Sequence, residues 1–156
     1  MGVEIERKFL VKNDSWRRET RPGKKYRQGY LSTDPDKTIR VRVAGVKAFI
    51  TIKGRNIGLT RGEFEYEIPK TDAEEILRTL CKDSILEKTR YSVEHDGMEW
   101  SIDEFEGNNQ GLIMAEIELH DENQFIKFPR WIGEEVSTDI RYYNSNLVHN
   151  PYKNWK

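Results

Sequence analysis

The feature that most constrains this chain is a period-two alternation whose polar positions carry blocks of charge. It opens with Val3-Glu4-Ile5-Glu6-Arg7-Lys8-Phe9-Leu10-Val11. In an extended strand Glu4, Glu6 and Lys8 point to one face, and Val3, Ile5, Phe9 and Val11 to the other. Two carboxylates at neighbouring same-face positions lie about 7 Å apart, near enough to share a divalent cation, and an ammonium follows. Taken alone, such a strand reads as an edge strand with its polar side in water. The pattern recurs, and the recurrence argues against that simple reading.

Along the chain, Asn13 to Lys25 is a polar, basic loop with room for a short helical turn, and Tyr26 to Leu31 is a second strand. Thr38 to Val43 places Arg40 and Arg42 on one face, and Ala48 to Lys53 is a fourth strand. The stretch Gly54 to Gly62 lacks the Gly-Lys-Ser/Thr ending of a P-loop and reads as a long hairpin connection. Glu63, Glu65 and Glu67 then share a face opposite Phe64, Tyr66 and Ile68. A helix is expected over Ala73 to Cys81, with Ile76, Leu77 and Leu80 as its apolar stripe. Lys88 and Arg90 share a face within Ile85 to Val93, and the Asp96-Gly97 hairpin signal leads into Met98 to Phe105, where Glu99, Ser101 and Asp103 align. Leu112 to Leu119 brings Glu116 and Glu118 together, mirroring Glu4 and Glu6. Beyond it, a short helix over Asp121 to Ile126, a loop at Phe128 to Trp131 and a C-terminal helix over Ile140 to His149 are expected.

The 156 residues suit one domain, and no repeat or linker divides them. Lys and Arg number 26 against 27 Asp and Glu, so no net charge draws the chain to nucleic acid or acidic membranes. No apolar run approaches a spanning helix, and the lone Cys81 fits a reducing compartment; the expected location is the cytoplasm. His95, His120 and His149 have no metal-ligand spacing and read as surface residues, while Cys81, Trp100, Trp131, Tyr142 and Tyr143 read as packing.

The fold class expected is α+β, mainly antiparallel β. Eight alternating strands with hairpin-length connections suit an antiparallel sheet and can close into a barrel with a few flanking helices. The sorting of charge by strand argues that the charged faces point inward. Ile5, Phe9, Val41, Val43, Phe64, Tyr66, Tyr91 and Trp100 then form an outward apolar surface, and any part left uncovered favours a homodimer. Charges gathered inside a barrel are tolerated only if paired, bound to metal or facing a charged ligand. Lys8, Arg40, Arg42, Lys53, Lys88 and Arg90 supply a cationic lining suited to phosphate oxygens. The carboxylates suit Mg²⁺ or Mn²⁺, and together the two sets describe a metal-assisted polyphosphate site.

The ordered series Glu4-x-Glu6-x-Lys8, Arg40-x-Arg42, Lys53, Glu63-x-Glu65, Lys88-x-Arg90, Asp103 and Glu116-x-Glu118 resembles the CYTH superfamily, also called triphosphate tunnel metalloenzymes. The likeness covers essentially the whole chain. It implies an eight-stranded tunnel that binds triphosphates with a divalent metal, in a superfamily that includes inorganic tripolyphosphatases, thiamine triphosphatases, class IV adenylate cyclases and RNA triphosphatases. Carried over, Glu116 and Glu118 resemble ligands of the metal that activates the triphosphate. Glu4 and Glu6 resemble ligands of a second metal holding the attacking water, with Glu63, Glu65 and Asp103 contributing. Lys8, Arg40, Arg42, Lys53, Lys88 and Arg90 would clamp the phosphates, and Lys53 or Lys88 would assist proton transfer if desolvation lowered its pKa.

Tripolyphosphate hydrolysis is the reaction expected, because no segment is dedicated to an adenine base. The alternatives are a cyclase or thiamine triphosphatase, which would need an aromatic pocket from Trp16, Tyr26, Phe49, Trp131 or Tyr142, and a non-catalytic polyphosphate or nucleotide sensor.

Overall fold

The computed structural model describes residues 2–155. Its strands are β1 (Gly2–Val11), β2 (Lys24–Ser32), β3 (Lys37–Ala44), β4 (Lys47–Gly54), β5 (Thr60–Ile68), β6 (Ile85–His95), β7 (Met98–Phe105), β8 (Ile113–Glu118) and β9 (Ile132–Glu135). The helices are α1 (Lys70–Leu80) and the single turn α2 (Asn144–Leu147). The order β5-β4-β3-β2-β6-β7-β8-β1 closes through a β1–β5 pairing, so the expected eight-stranded antiparallel barrel forms. Closure depends on a strong stagger. Gly2 to Ile5 pair with β5, Glu6 to Leu10 pair with β8, and the end of β1 beyond the reach of β5 is taken up by β9 at Phe9 and Val11.

Alternation explains which way the faces turn. On the outside, Phe9, Val93, Trp100, Ile102 and Ile117 bury themselves under Trp16 and the Ile126–Ile132 segment. Trp100 meets Trp131 and Phe9 edge to face, each pair with ring centroids 5.7 Å apart. Elsewhere Ala73 and Leu77 of α1 cover Val41 and Ala48. Only part of the outward apolar surface stays open: Phe64 and Tyr66 on β5 are exposed beside Ile52 of β4.

Inside, the barrel is not uniformly charged. Leu86 precedes Lys88 by one same-face step, Phe105 follows Asp103, and Met114 precedes Glu116. These apolar side chains meet Tyr142, Leu147 and Val136, so one end of the lumen is filled by an apolar plug from the C-terminal segment. The charged stretch is therefore a tunnel with a floor.

Gly29 shows how tightly α1 seats on β2. A Cβ there would lie 2.6 Å from the Cys81 Cβ, 2.8 Å from a Leu77 methyl and 3.0 Å from an Ile85 methyl. Gly29→Ala is expected to destabilise the fold by about 1–3 kcal/mol through overpacking, read as a lower urea midpoint at unchanged slope. An unchanged midpoint would mean that the helix can move away freely.

Several sequence expectations are corrected. Asp121 to Ile126 forms turns rather than a helix, with Gln124 and Asp121 side chains capturing nearby backbone N–H groups. The helix expected over Ile140 to His149 is a 3-10 turn at Ile140–Tyr142 followed by the short α2, because the chain turns into the plug after Tyr143. Strand β9 was not anticipated: four residues containing Gly133 carry no alternation. The Asp96-Gly97 turn forms as expected, with φ of 54° and 76° at its two central residues.

Candidate active site

The tunnel encloses about 880 Å³ and is lined by the charged positions singled out from the sequence except the wholly buried Asp103 and the exposed Glu67. Cross-strand register explains the gathering. Lys8 is opposite Glu116, Glu6 opposite Glu118, Arg90 opposite Asp103, and Lys53 opposite both Thr38 and Glu63.

The acidic groups divide by partner. Lys53 Nζ lies 3.1 Å from Glu4 and 3.4 Å from Glu63. Lys8 Nζ lies 3.6 Å from Glu6 and 3.7 Å from Glu116, and Arg90 reaches Glu116 at 3.4 Å. Asp103 is gripped more closely: Arg90 Nε donates to Oδ1 at 2.7 Å, while Oδ2 accepts from Lys88 at 2.7 Å and from Arg90 Nη2 at 2.8 Å. Glu65 accepts from Thr51 at 2.8 Å near Arg40, and Glu118 is exposed at the tunnel's edge.

Electrostatics sharpens this division. Burial, with Glu116 adding repulsion, pushes the Glu6 carboxyl up to about 7. Burial opposes ionisation of Glu116 too, but Lys8 and Arg90 outweigh it and hold that group at about 2. Burial resists the charge on Asp103 as well, yet Arg90 and Lys88 keep it far below the usual carboxylate range. For Lys88, burial dominates; Arg42 and Arg90 add to it, Asp103 opposes it, and the amine drops to about 7.

On the other wall the cations are short of partners. Arg42 makes no carboxylate contact among the described residues; its Nε donates only to the Gln28 amide oxygen, at 3.0 Å. Burial, then repulsion from Arg40 and Arg90, lowers it to about 9, so it remains cationic at neutral pH. Buried Arg40 leaves its Nε with no acceptor. Tyr26 lies among three cations, its ring centroid 4.7 Å from the Arg42 guanidinium, 5.2 Å from that of Arg90 and 5.9 Å from Lys88 Nζ.

Some site residues were missed. Gln28 and Tyr30 follow Tyr26 on its face of β2, and that alternation opposite Arg42 and Arg40 was the available signal. Arg61 stands one same-face step before Glu63 on β5, an alternation that was also available as a signal, whereas Asn56, Ser137 and Asn144 line the tunnel from segments without periodicity. Tyr143, expected to pack against the barrel, instead faces the tunnel: its ring lies 5.3 Å from Lys8 Nζ, and its hydroxyl accepts from Asn56 Nδ2 at 3.3 Å. His95, expected at the surface, is half-buried with Nε2 unpartnered, whereas His120 and His149 are exposed. Of the aromatic residues that could have held a base, Trp16, Trp131 and Tyr142 are buried elsewhere and only Tyr26 lines the tunnel.

No three His, Cys, Asp or Glu side chains among the described residues come together as a ready-made metal cage. The donors nonetheless fit a hard divalent cation: they are all oxygens, and Glu6 is a half-buried carboxylate with a second carboxylate raising its pKa, a condition that a cation relieves.

Comparison with known proteins agrees with this geometry. The inorganic triphosphatase of Acetivibrio thermocellus is 53% identical over 156 residues, covering 100% of this chain and 99% of that protein. The inorganic triphosphatase of Nitrosomonas europaea is 38% identical over 155 residues, covering 94% and 97%. A crystal structure of an inorganic triphosphatase superposes with a TM-score of 0.66 at 37% identity, covering 95% of each chain. The CYTH domain profile matches residues 2–152, and this chain belongs to the CYTH domain family.

Proposed function

We propose that this protein hydrolyses inorganic tripolyphosphate to pyrophosphate and phosphate with the help of Mg²⁺ or Mn²⁺. The observation that carries the reading is the sorting of the tunnel wall. Arg40 and Arg42 have unspent hydrogen-bonding capacity on one side, and Glu4, Glu6, Glu63 and Glu116 gather on the other. A linear anion answers the first set and a divalent cation the second. Full-length relatives named inorganic triphosphatase support it.

In this reading Arg40, Arg42 and Arg90 bind the phosphate oxygens, and Lys8 and Lys53 turn from their carboxylates toward the entering polyanion. That turn leaves Glu4, Glu6, Glu63 and Glu116, with Glu118 at the edge and Glu65 beside Arg40, to hold the metal. When bound, the metal neutralises phosphate charge and makes water more acidic. Asp103, whose oxygens are already taken, aligns Lys88 and Arg90 and is not needed as a ligand. Lys88, with its lowered pKa, accepts a proton from the attacking water as the bond to the terminal phosphorus forms. Pyrophosphate leaves against the arginines.

The test is phosphate release from tripolyphosphate, ATP, thiamine triphosphate and pyrophosphate, each with Mg²⁺, with Mn²⁺ and with a chelator. Tripolyphosphate is expected to turn over at least tenfold faster than the others, and only with metal. Cyclic AMP from ATP would move the reading to a cyclase. Tight binding without release from any substrate would leave a sensor.

A further inference from the structure

We infer that Asn144 is a positioning residue that holds the Lys88 amine in place for the reaction, an inference that rests on the hydrolytic reading above. Asn144 Oδ1 accepts from Lys88 Nζ at 3.0 Å and from Gln28 Nε2 at 3.3 Å. Gln28 Nε2 also donates to the Tyr30 hydroxyl at 3.2 Å, and Gln28 Oε1 accepts from Arg42. Two donors meeting one oxygen fix the amide's orientation, since the reverse would set N–H against N–H. Lys88 and Gln28 are 1% and 0% exposed and Asn144 is 8% exposed, so water does not readily replace these bonds.

The backbone around Asn144 is as well fixed as its side chain. Tyr142 and Leu147 on either side are buried in the apolar plug with Leu86 and Phe105, the inward neighbours of Lys88 and Asp103. Asn144 is thus the polar tip of that plug, at the tunnel floor. Its function follows from what Lys88 would do without it. The remaining hydrogen-bonding partner of the amine is Asp103, at 2.7 Å, and Asp103 belongs also to Arg90. With Asn144 present the amine is shared between two acceptors; with Asn144 removed it collapses onto Asp103. Among the described residues Asn144 pairs with no arginine of the clamp, so its loss acts on turnover more than on substrate binding.

The test uses Asn144→Ala and Asn144→Asp in the full chain, with two readouts. In steady-state hydrolysis of tripolyphosphate, Asn144→Ala is expected to lower kcat about 10- to 100-fold and leave KM within about threefold. Asn144→Asp keeps the accepting oxygen but sets a carboxylate beside the amine, which favours the charged ammonium and should leave kcat low at neutral pH. Independently, ¹⁵N-lysine NMR near pH 6 should show a resolved, slowly exchanging Lys88 ammonium signal, assigned by its loss in Lys88→Arg. That signal should broaden away in Asn144→Ala and return in Asn144→Asp. An unchanged signal in Asn144→Ala overturns the positioning role, whatever the activity. A lost signal with unchanged kcat overturns its part in turnover. If the wild-type chain released no phosphate, the hydrolytic reading would fail while the signal still decided whether Asn144 holds Lys88.

Discussion

Replacing Glu4 and Glu6 together by glutamine is expected to reduce tripolyphosphate hydrolysis by about a thousandfold or more, while binding of metal-free tripolyphosphate stays the same or tightens. The substitutions preserve volume and remove charge alone. Lys53 keeps Glu63 at 3.4 Å and Lys8 keeps Glu116 at 3.7 Å, so neither ammonium is left unpaired in the wall. Glu6 in particular loses a repulsive contact, because burial and Glu116 already raise its pKa to about 7. The folded protein should therefore be no less stable, and thermal melting of the variant serves as the control. Calorimetric titration with Mn²⁺ would show whether the loss lies in metal binding, where a drop of at least tenfold is expected. Turnover within tenfold of wild type would remove Glu4 and Glu6 from the reaction and leave the metal to Glu63, Glu116 and Glu118.

Much of this site was legible because a barrel strand writes its two environments at alternate positions. Lys8, Arg40, Lys88 and Glu116 each have a charged neighbour one same-face step away, Lys53 shares its face with Thr51, and eight alternating strands are enough to close. The stagger of β1 was not legible, since it depends on which pairing partner runs out first. That stagger creates the space that β9 fills. The floor of the tunnel was illegible for a related reason. Leu86, Phe105 and Met114 obey the same alternation as the charges, but their partners Tyr142 and Leu147 come from a segment with no regular period. The outward list holds on both counts: Phe9, Val41 and Trp100 are covered, and Phe64 and Tyr66 are exposed with no covering layer; which of them would be covered was not legible. Asn144 carries the same limitation: a lone Asn in an irregular tail gains meaning only when the tail is seen to end against Lys88.

The pH dependence of kcat/KM separates the two groups that titrate near neutrality. In the free protein Lys88 is lowered to about 7 by burial, with help from Arg42 and Arg90, and Glu6 is raised to about 7 by burial and Glu116. A proton-accepting amine must be neutral and a metal-holding carboxylate must be ionised, so both requirements are met as pH rises. Once corrected for titration of tripolyphosphate itself, kcat/KM should climb through pH 7 with a slope steeper than one proton. Lys88→Met is expected to lower kcat about 100- to 10,000-fold and to reduce that slope to a single proton, the one belonging to Glu6. Asp103 keeps both its bonds to Arg90 in this variant, so the buried carboxylate is not abandoned and the fold should hold. Stability carries an independent signature of the same amine. Its folded pKa lies below the ordinary lysine value of 10.5, so the unfolded chain binds more protons between about pH 7 and 10.5. Stability against urea should rise with pH across that window relative to Lys88→Met, in which the contribution is absent. A wild-type slope of one proton that Lys88→Met leaves untouched would assign the whole rise to Glu6 and make Lys88 a fixed phosphate-binding cation. Equal stability profiles in the two proteins would show that the amine stays charged in the folded tunnel, with Asp103 as its permanent partner.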